Sequence, residues 1–242
     1  MRLDFTQIDW SKRTEPAALP EWMDGPCSYE EFRACLLDIE KVNRLSFGYR
    51  PTLAWLDALV ANKRADEPLR IVDVGCGGGD MLRQIAAWAR RREVKVDLTG
   101  VDLNPFSTRA ASEFSKAEKN IHYVTGDAFS YTPESGMDVV LSSLFTHHLP
   151  TEEIVQFLAW MERVAHIGWF VNDLCREPIA YYGFGMLAKV AGWHRFVQHD
   201  GPVSFRRSFL EDDWQRMCAA AQVGVVSLQR WTPARLCVGR VK

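Results

Sequence analysis

The sequence predicts a doubly wound, mostly parallel α/β sheet, with a helical cap before it and an antiparallel hairpin at its end. Three observations carry that expectation. From residue 69 onward, short apolar runs alternate with segments of helical period, the signature of strand–helix–strand units. One such run ends in the glycine-rich turn IVDVGCGGGD at 71–80. The last part breaks the alternation: 223–230 and 234–241 both read as strands, joined by a short link around Thr232–Pro233, and a link that short joins antiparallel strands.

Composition sets the outer bounds. The chain has 242 residues, 47% hydrophobic and 25% charged, with a formal net charge of −2. Those fractions exclude wholesale disorder, and the length allows a sizeable core. Near-neutral charge gives no global attraction to nucleic acid or to an anionic membrane, so neither is expected as a partner. The opening MRLDFTQIDWSKRTEP has no apolar signal core, and no uncharged run of about 18 apolar residues offers a membrane span. Six cysteines at 27, 35, 76, 175, 218 and 237 show no CxxC pair and no metal-ligand spacing. A reduced, cytoplasmic protein, monomer or homodimer, is the expectation.

Taken in order, residues 1–27 are rich in proline and glycine and read as an arm. Ser28 and Glu31 fit a capping box, and Phe32, Cys35, Leu36, Ile39 and Val42 follow as a helical stripe. A second stripe after Pro51 holds Leu53, Leu56, Leu59 and Val60. Residues 1–65 thus form an arm and helical cap, and 66–242 the main domain. Its candidate strands are Leu69–Val74, Val96–Val101, Ile121–Thr125, Asp138–Ser142 and Trp169–Asn172, with helices around 80–92, 106–118 and 151–166. Residues 176–207 form an insertion, expected to be a lid. Ser208 and Glu211 read as a further capping box, opening a helix to about Ala221.

The strongest local signal is the turn at 71–80. An apolar strand ends in Asp73, Gly75, Gly77 and Gly79 fall at alternate positions, and a helix begins. Glycine lets the backbone turn sharply and approach a ligand without a Cβ in the way. Such ligands sit outside the carboxyl ends of the strands. Position 80 is Asp, where a dinucleotide fingerprint has Gly or Ala. Carboxylates at Asp73 and Asp80 repel a pyrophosphate and suit a ligand bearing an ammonium and a sulfonium, as S-adenosylmethionine (SAM) does. Asp102, 23 residues past Gly79, is placed to accept from a ribose diol, and Asp127 in VTGDAFS from an adenine amino group. Each alone reads more often as a solvated turn acid; three at successive strand ends, in register with the glycine loop, reverse that and point to a cofactor.

On these residues the run from about 69 to 175 resembles a class I SAM-dependent methyltransferase, the seven-stranded Rossmann-like family. The matching pieces are VDVGCGGGD, TGVDLN, the GDA turn and MDVVLSSLFTHHLP at 137–150. The resemblance implies that Asp73, Gly75, Cys76, Gly77 and Gly79 meet the methionine part of SAM, Asp102 and Leu103 the ribose, and Asp127 and Ala128 the adenine. Ser143 would line the methyl-bearing end, and S-adenosylhomocysteine (SAH) would be the product. NDLCREPIAYY and HDGPVSFRRSF look similar to bacterial enzymes methylating small polyketide- or quinone-like phenols of secondary metabolism.

Methyl transfer needs alignment of nucleophile, methyl and sulfur, and a phenol benefits from a base. His147 and His148, after the fourth candidate strand, and His199, in the insertion, are the candidates; each reads otherwise as a packing, capping or turn histidine. Tyr182, Trp193, Phe196 and Arg206 are expected around the acceptor. The fourth strand ends in Ser142–Ser143 and the fifth in Asn172–Asp173, which is not the acidic set of a hard-cation site, so no metal is expected. Asp173 and Arg176 are expected to pair. The resulting reading is methyl transfer from SAM to a small aromatic or polyketide-derived acceptor, O-methylation favoured. C-methylation of a quinone-like substrate, an NAD(P)- or flavin-dependent oxidoreductase and a non-catalytic SAM-fold binding module stand as alternatives.

Overall fold

The capping box at Ser28 forms: Ser28 Oγ accepts from the Glu31 N–H at 3.2 Å, and the Glu31 carboxylate accepts from the Ser28 N–H. It opens α1 (Tyr29–Leu45), which is followed by α2 (Arg50–Val60) with Pro51 in its first turn, where a missing N–H costs nothing. The computed structural model describes residues 8–61, 67–133 and 136–242; the expected boundary at 65 and 66 lies outside the described residues, as do residues 1–7 of the arm.

The alternation then appears as β1 (Leu69–Val74), α3 (Asp80–Arg92), β2 (Val96–Asp102), α4 (Pro105–Phe114), β3 (Ile121–Thr125), β4 (Met137–Ser143), α5 (Thr151–Val164) and β5 (Ala165–Leu174). After it come α6 (Pro178–Val190), α7 (Arg195–Arg207), α8 (Glu211–Ala220), β6 (Ser227–Trp231) and β7 (Arg235–Val241). The strands form one seven-stranded sheet in the order β3-β2-β1-β4-β5-β7-β6. β1 to β5 pair in parallel, and β7 runs antiparallel to both β5 and β6. The fold is therefore the expected Rossmann-like α/β sheet with an antiparallel C-terminal hairpin.

Period-two alternation sorts the strand side chains onto two cores. Ile71, Val139, Leu141 and Phe170 pack with α2 and α3, including Leu56, Leu82 and Ile85. Val72, Val74, Val140 and Val171 pack with α5 and α8, including Phe157, Trp160 and Trp214. Both faces of the central strands are thus covered, which is why β1 and β4 read as near-continuous apolar runs. The chain reverses its direction of progress between β1 and β4, and a crevice opens at such a switch point outside the strand ends.

Several elements differ from the sequence expectation. β5 extends beyond Trp169–Asn172 at both ends and takes in His166, expected at a helix end. The helix expected to reach 118 stops at Phe114. No capping box joins Ser208 to Glu211: Ser208 Oγ donates to Ser204 O at 2.5 Å, and the Asp213 carboxylate instead accepts the Leu210 N–H at 2.8 Å. The strand expected from 223 begins at Ser227, because Val223 N–H still closes on Cys218 O at the end of α8. Residues 176–207 form α6 and α7, with Pro202 inside α7; glycines at 183, 185 and 201 had masked their helical period. Among the described residues no helix is long and apolar enough to cross a membrane.

Candidate functional site

A cavity of about 1080 Å³ lies at the carboxyl ends of β1, β2 and β4, between the sheet and the layer formed by α1, α6, α7 and residues 21–25. Its floor is the glycine turn. Gly75 has φ +71°, and a Cβ there would lie 2.5 Å from the Phe145 ring. Gly79 has the same φ and a Cβ would overlap the Tyr123 hydroxyl. Only glycine fits these two positions, both for backbone conformation and for space.

Four acids line the cavity around this floor. Asp73 is buried at the end of β1, and its Oδ1 has no hydrogen-bond partner. Burial, with the nearby Asp80 and Asp102 charges adding, pushes its carboxyl well above the usual range. Asp102 Oδ2 accepts from Gly77 N–H and Oδ1 from Asn104 N–H, both at 2.9 Å. Burial raises the Asp102 carboxyl despite these bonds. Asp80 Oδ2 accepts from Asn43 Nδ2 at 2.9 Å and from the Tyr49 hydroxyl at 2.8 Å, tying the turn to α1 and α2. Asp127 accepts from Phe129 N–H at 3.0 Å, shaping the turn after β3. Buried carboxylates such as Asp73 and Asp102 are stabilised as anions by a cation placed beside them, so the donor set fits a ligand carrying an ammonium and a sulfonium.

Of the residues expected at the cofactor, Asp73, Gly75, Cys76, Gly77, Asp102, Leu103, Asp127, Ala128 and Ser143 all line the cavity. Gly79 lies just beneath it as the residue before α3.

Two histidines, His147 and His148, also line the cavity. The buried Asp173 accepts from Thr146 Oγ1 at 2.5 Å, from His147 N–H at 3.2 Å and from Leu174 N–H at 2.7 Å, and its Oδ1 lies 2.7 Å from His147 Nδ1. Burial alone would raise this carboxyl; the His147 ring and these hydrogen bonds outweigh it and hold it well below the usual carboxylate range. An ionised carboxylate only accepts, so Nδ1 carries the proton and Nε2 faces away. His148 is half-buried, with Nδ1 3.3 Å from Asp24 Oδ1 and Nε2 3.6 Å from Glu21 Oε2. Burial disfavours its charge, but Glu21 and Asp24 outweigh that and raise its pKa above the ordinary histidine value.

Other expected site residues fall elsewhere. His199 points away from the cavity: its ring stacks on Trp22 at 3.9 Å, and its Nδ1 lies 2.6 Å from Asp200 Oδ1. Asp200 in turn accepts from the Trp22 and Met23 N–H groups. Tyr182 lies on the outer side of α6 against Tyr181 and Trp10. Arg206 bonds Thr14 Oγ1 at 3.2 Å and lies over the Trp10 ring. Helical phase in α7 separates His199 and Arg206 from Phe196, and Phe196 and Trp193, between α6 and α7, do line the cavity. Asp173 and Arg176 do not pair: Arg176 bridges to Asp213 at 2.9 Å and to backbone carbonyls of Trp10, Ser11 and Ser208.

Two residues were missed. Glu21 is buried, accepts from Ser204 Oγ at 2.8 Å and lies 3.3 Å from Arg207 Nη1; Asp24 lies beside it. Both belong to the non-periodic arm, and no local pattern marks them.

With this geometry in place, comparison with known proteins locates the chain. Residues 71–168 match the family described as "Methyltransferase domain". Trans-aconitate 2-methyltransferase from Mycobacterium marinum is 32% identical over 111 residues, 46% of this chain and 38% of that protein; the chain thus matches well under half the length of this relative. Among solved structures, human N-acetylserotonin methyltransferase in complex with SAM aligns at TM-score 0.62 and 15% identity, over 89% of this chain and 56% of that one. A plantazolicin methyltransferase crystallised with a pentazolic desmethylPZN analog and SAH aligns at TM-score 0.61 and 13% identity, over 88% and 96%. At these identities the structural likeness is one of fold.

Proposed function

We propose that the chain, whose residues 71–168 match the family described as "Methyltransferase domain", transfers a methyl group from SAM to a small aromatic or polyketide-derived acceptor, with an oxygen as the favoured methyl-accepting atom. The observation that carries the reading is the buried Asp73 with its orphaned Oδ1, set beside Asp102 over a turn that only glycines can make. When bound, SAM supplies an electrophilic methyl on a sulfonium. Asp73 and the turn hold the methionine end, Asp102 and Leu103 the ribose, Asp127 and Ala128 the adenine, and Ser143 the wall beside the methyl.

The acceptor's place is between that wall and the α1, α6 and α7 layer, with residues 1–65 as cap and 176–207 as lid. Met23, Ile39, Phe184, Trp193 and Phe196 pack together and line the cavity, an apolar surface that supports a flat apolar ligand over the polycarboxylate named for the mycobacterial relative. Proximity and orientation supply much of the acceleration in such a displacement. Nε2 of His147 and of His148 are the groups at this end that act on an acceptor hydroxyl, with Asp173 holding the first ring in place. The carboxylate row disfavours a pyrophosphate, which counts against the nucleotide oxidoreductase alternative.

The direct test is a thermal-shift measurement with SAM and SAH, followed by mass spectrometry for a one-methyl gain on candidate phenols. Both ligands should raise Tm for the native chain, and Asp102→Ala should lose most of that shift while remaining folded. An equal shift in Asp102→Ala, or none in the native chain, overturns the assignment.

A further inference from the structure

Glu21, His147 and His148 present their side-chain ligand atoms to one another at the acceptor end of the cavity. His147 Nε2 lies 3.8 Å from Glu21 Oε1, and His148 Nε2 3.6 Å from Glu21 Oε2. One ligand atom from each of the three residues falls within 4.8 Å of the others. The two Glu21 contacts are too long for hydrogen bonds. They match the spacing of donors around one ion, since ligands held at about 2.0–2.2 Å from zinc lie roughly 3–4 Å apart.

The far sides of the two rings are arranged alike. His147 Nδ1 faces Asp173 at 2.7 Å, and His148 Nδ1 faces Asp24 at 3.3 Å. A carboxylate behind each Nδ1 fixes the tautomer that leaves Nε2 as a lone pair, the usual support of a metal-binding histidine. Both lone pairs then converge on an anionic oxygen pair, which is repulsive unless a cation lies between. Arg207 meets part of that demand, with Nη1 3.3 Å from Glu21 Oε1. Glu21 Oε2 lies closest to His148 Nε2 and leaves room for a cation between them.

We propose that Glu21, His147 and His148 bind one first-row divalent cation of the zinc type, facing the acceptor end of the cavity. Two imidazoles and one carboxylate with an open position is a donor set zinc accepts, and it differs from the oxygen-rich set of a hard cation, whose absence had led to the expectation of no metal. The binding site stands independently of the reaction. Its role rests on the methyl-transfer reading: an oxygen of the acceptor completes the coordination and is held, more easily ionised, toward the glycine turn.

The test uses the full chain, treated with chelator and free of SAM and acceptor, titrated with Zn²⁺ by calorimetry and with Co²⁺ by visible absorption. One equivalent of Zn²⁺ should bind, with a Co²⁺ d–d band typical of four or five ligands. Glu21→Gln and His148→Gln should each weaken Zn²⁺ binding by about tenfold or more, with circular dichroism and the SAH thermal shift retained. No stoichiometric binding, or affinity unchanged in both variants, overturns the proposal. Since the titration contains neither cofactor nor acceptor, that failure leaves methyl transfer standing, and a failed Asp102→Ala test leaves the metal site standing.

Discussion

Gly79 shows how much a single position can decide. Its φ of +71° disfavours any side chain, and the Tyr123 hydroxyl occupies the space a Cβ needs. Gly79→Ala should lower stability by about 1–3 kcal/mol, seen as a shift in the urea midpoint, and should abolish the SAM-dependent rise in Tm. Trp193 and Tyr182 make a second contrast. Trp193 lines the cavity, whereas Tyr182 packs outward on Tyr181 and Trp10. Trp193→Ala should therefore raise the acceptor KM severalfold, and Tyr182→Ala should leave it within twofold; steady-state kinetics with a phenol that the native chain methylates would check both. At this scale legibility followed chemistry that is local in sequence. The glycines and acids of 71–80, 102 and 127 announce themselves by spacing along the chain. Glu21 gains its meaning only from Ser204, Arg207 and His148, all more than a hundred residues away.

At the scale of elements, β1 and β4 are pinned where their register begins. Arg70 donates from Nε and Nη2 to the two oxygens of Asp138 at 2.8 and 2.7 Å, and its backbone N–H adds a bond of 3.0 Å. Burial would raise the Asp138 carboxyl, but the Arg70 hydrogen bonds and charge outweigh it and lower its pKa below the ordinary aspartate value. A folded-state value below the unfolded one means stabilisation that is complete above the unfolded value of about 4 and lost as pH falls through the folded value. Asp138→Asn should thus cost about 1 kcal/mol at pH 7, given the partial exposure of the pair. The gap to the native protein should close on acidification below about pH 4, as urea midpoints across that range would report. β1 and β4 were legible because their apolar runs are near-continuous. The helices α6 and α7 were not, since their glycines and Pro202 weaken the local preference and packing against α1 and the arm decides the outcome.

Across the whole molecule, the arm is sewn to distant parts of the chain. Arg13 donates from Nε to Arg207 O at 2.7 Å and from Nη2 to Leu149 O at 2.7 Å, and Thr14 N–H bonds Arg206 O. These contacts hold residues 21–25 over the cavity beside the two histidines. Removing the guanidinium leaves several carbonyls unpaired. Arg13→Ala should cost about 2–3 kcal/mol and expose the arm near Trp10 and Trp22 to chymotrypsin while the sheet stays protected; an arm as resistant as in the native chain would contradict this account.

The position of β7 has a consequence for how the molecule comes into being. It is the last strand in sequence, yet it lies inside the sheet between β5 and β6. The arm's partners likewise fall as many as 194 residues downstream. Contacts of such long sequence separation form late and slowly, because the loop-closure entropy comes before their reward. On the ribosome, the glycine turn and its first strands can assemble while the chain is still being made, but the roof over the cavity cannot close until translation has passed Arg207, nor the sheet until it has passed Val241. The stretch within 71–168 that matches the methyltransferase family is ready early; the arm's contacts and the central place of β7 are finished last.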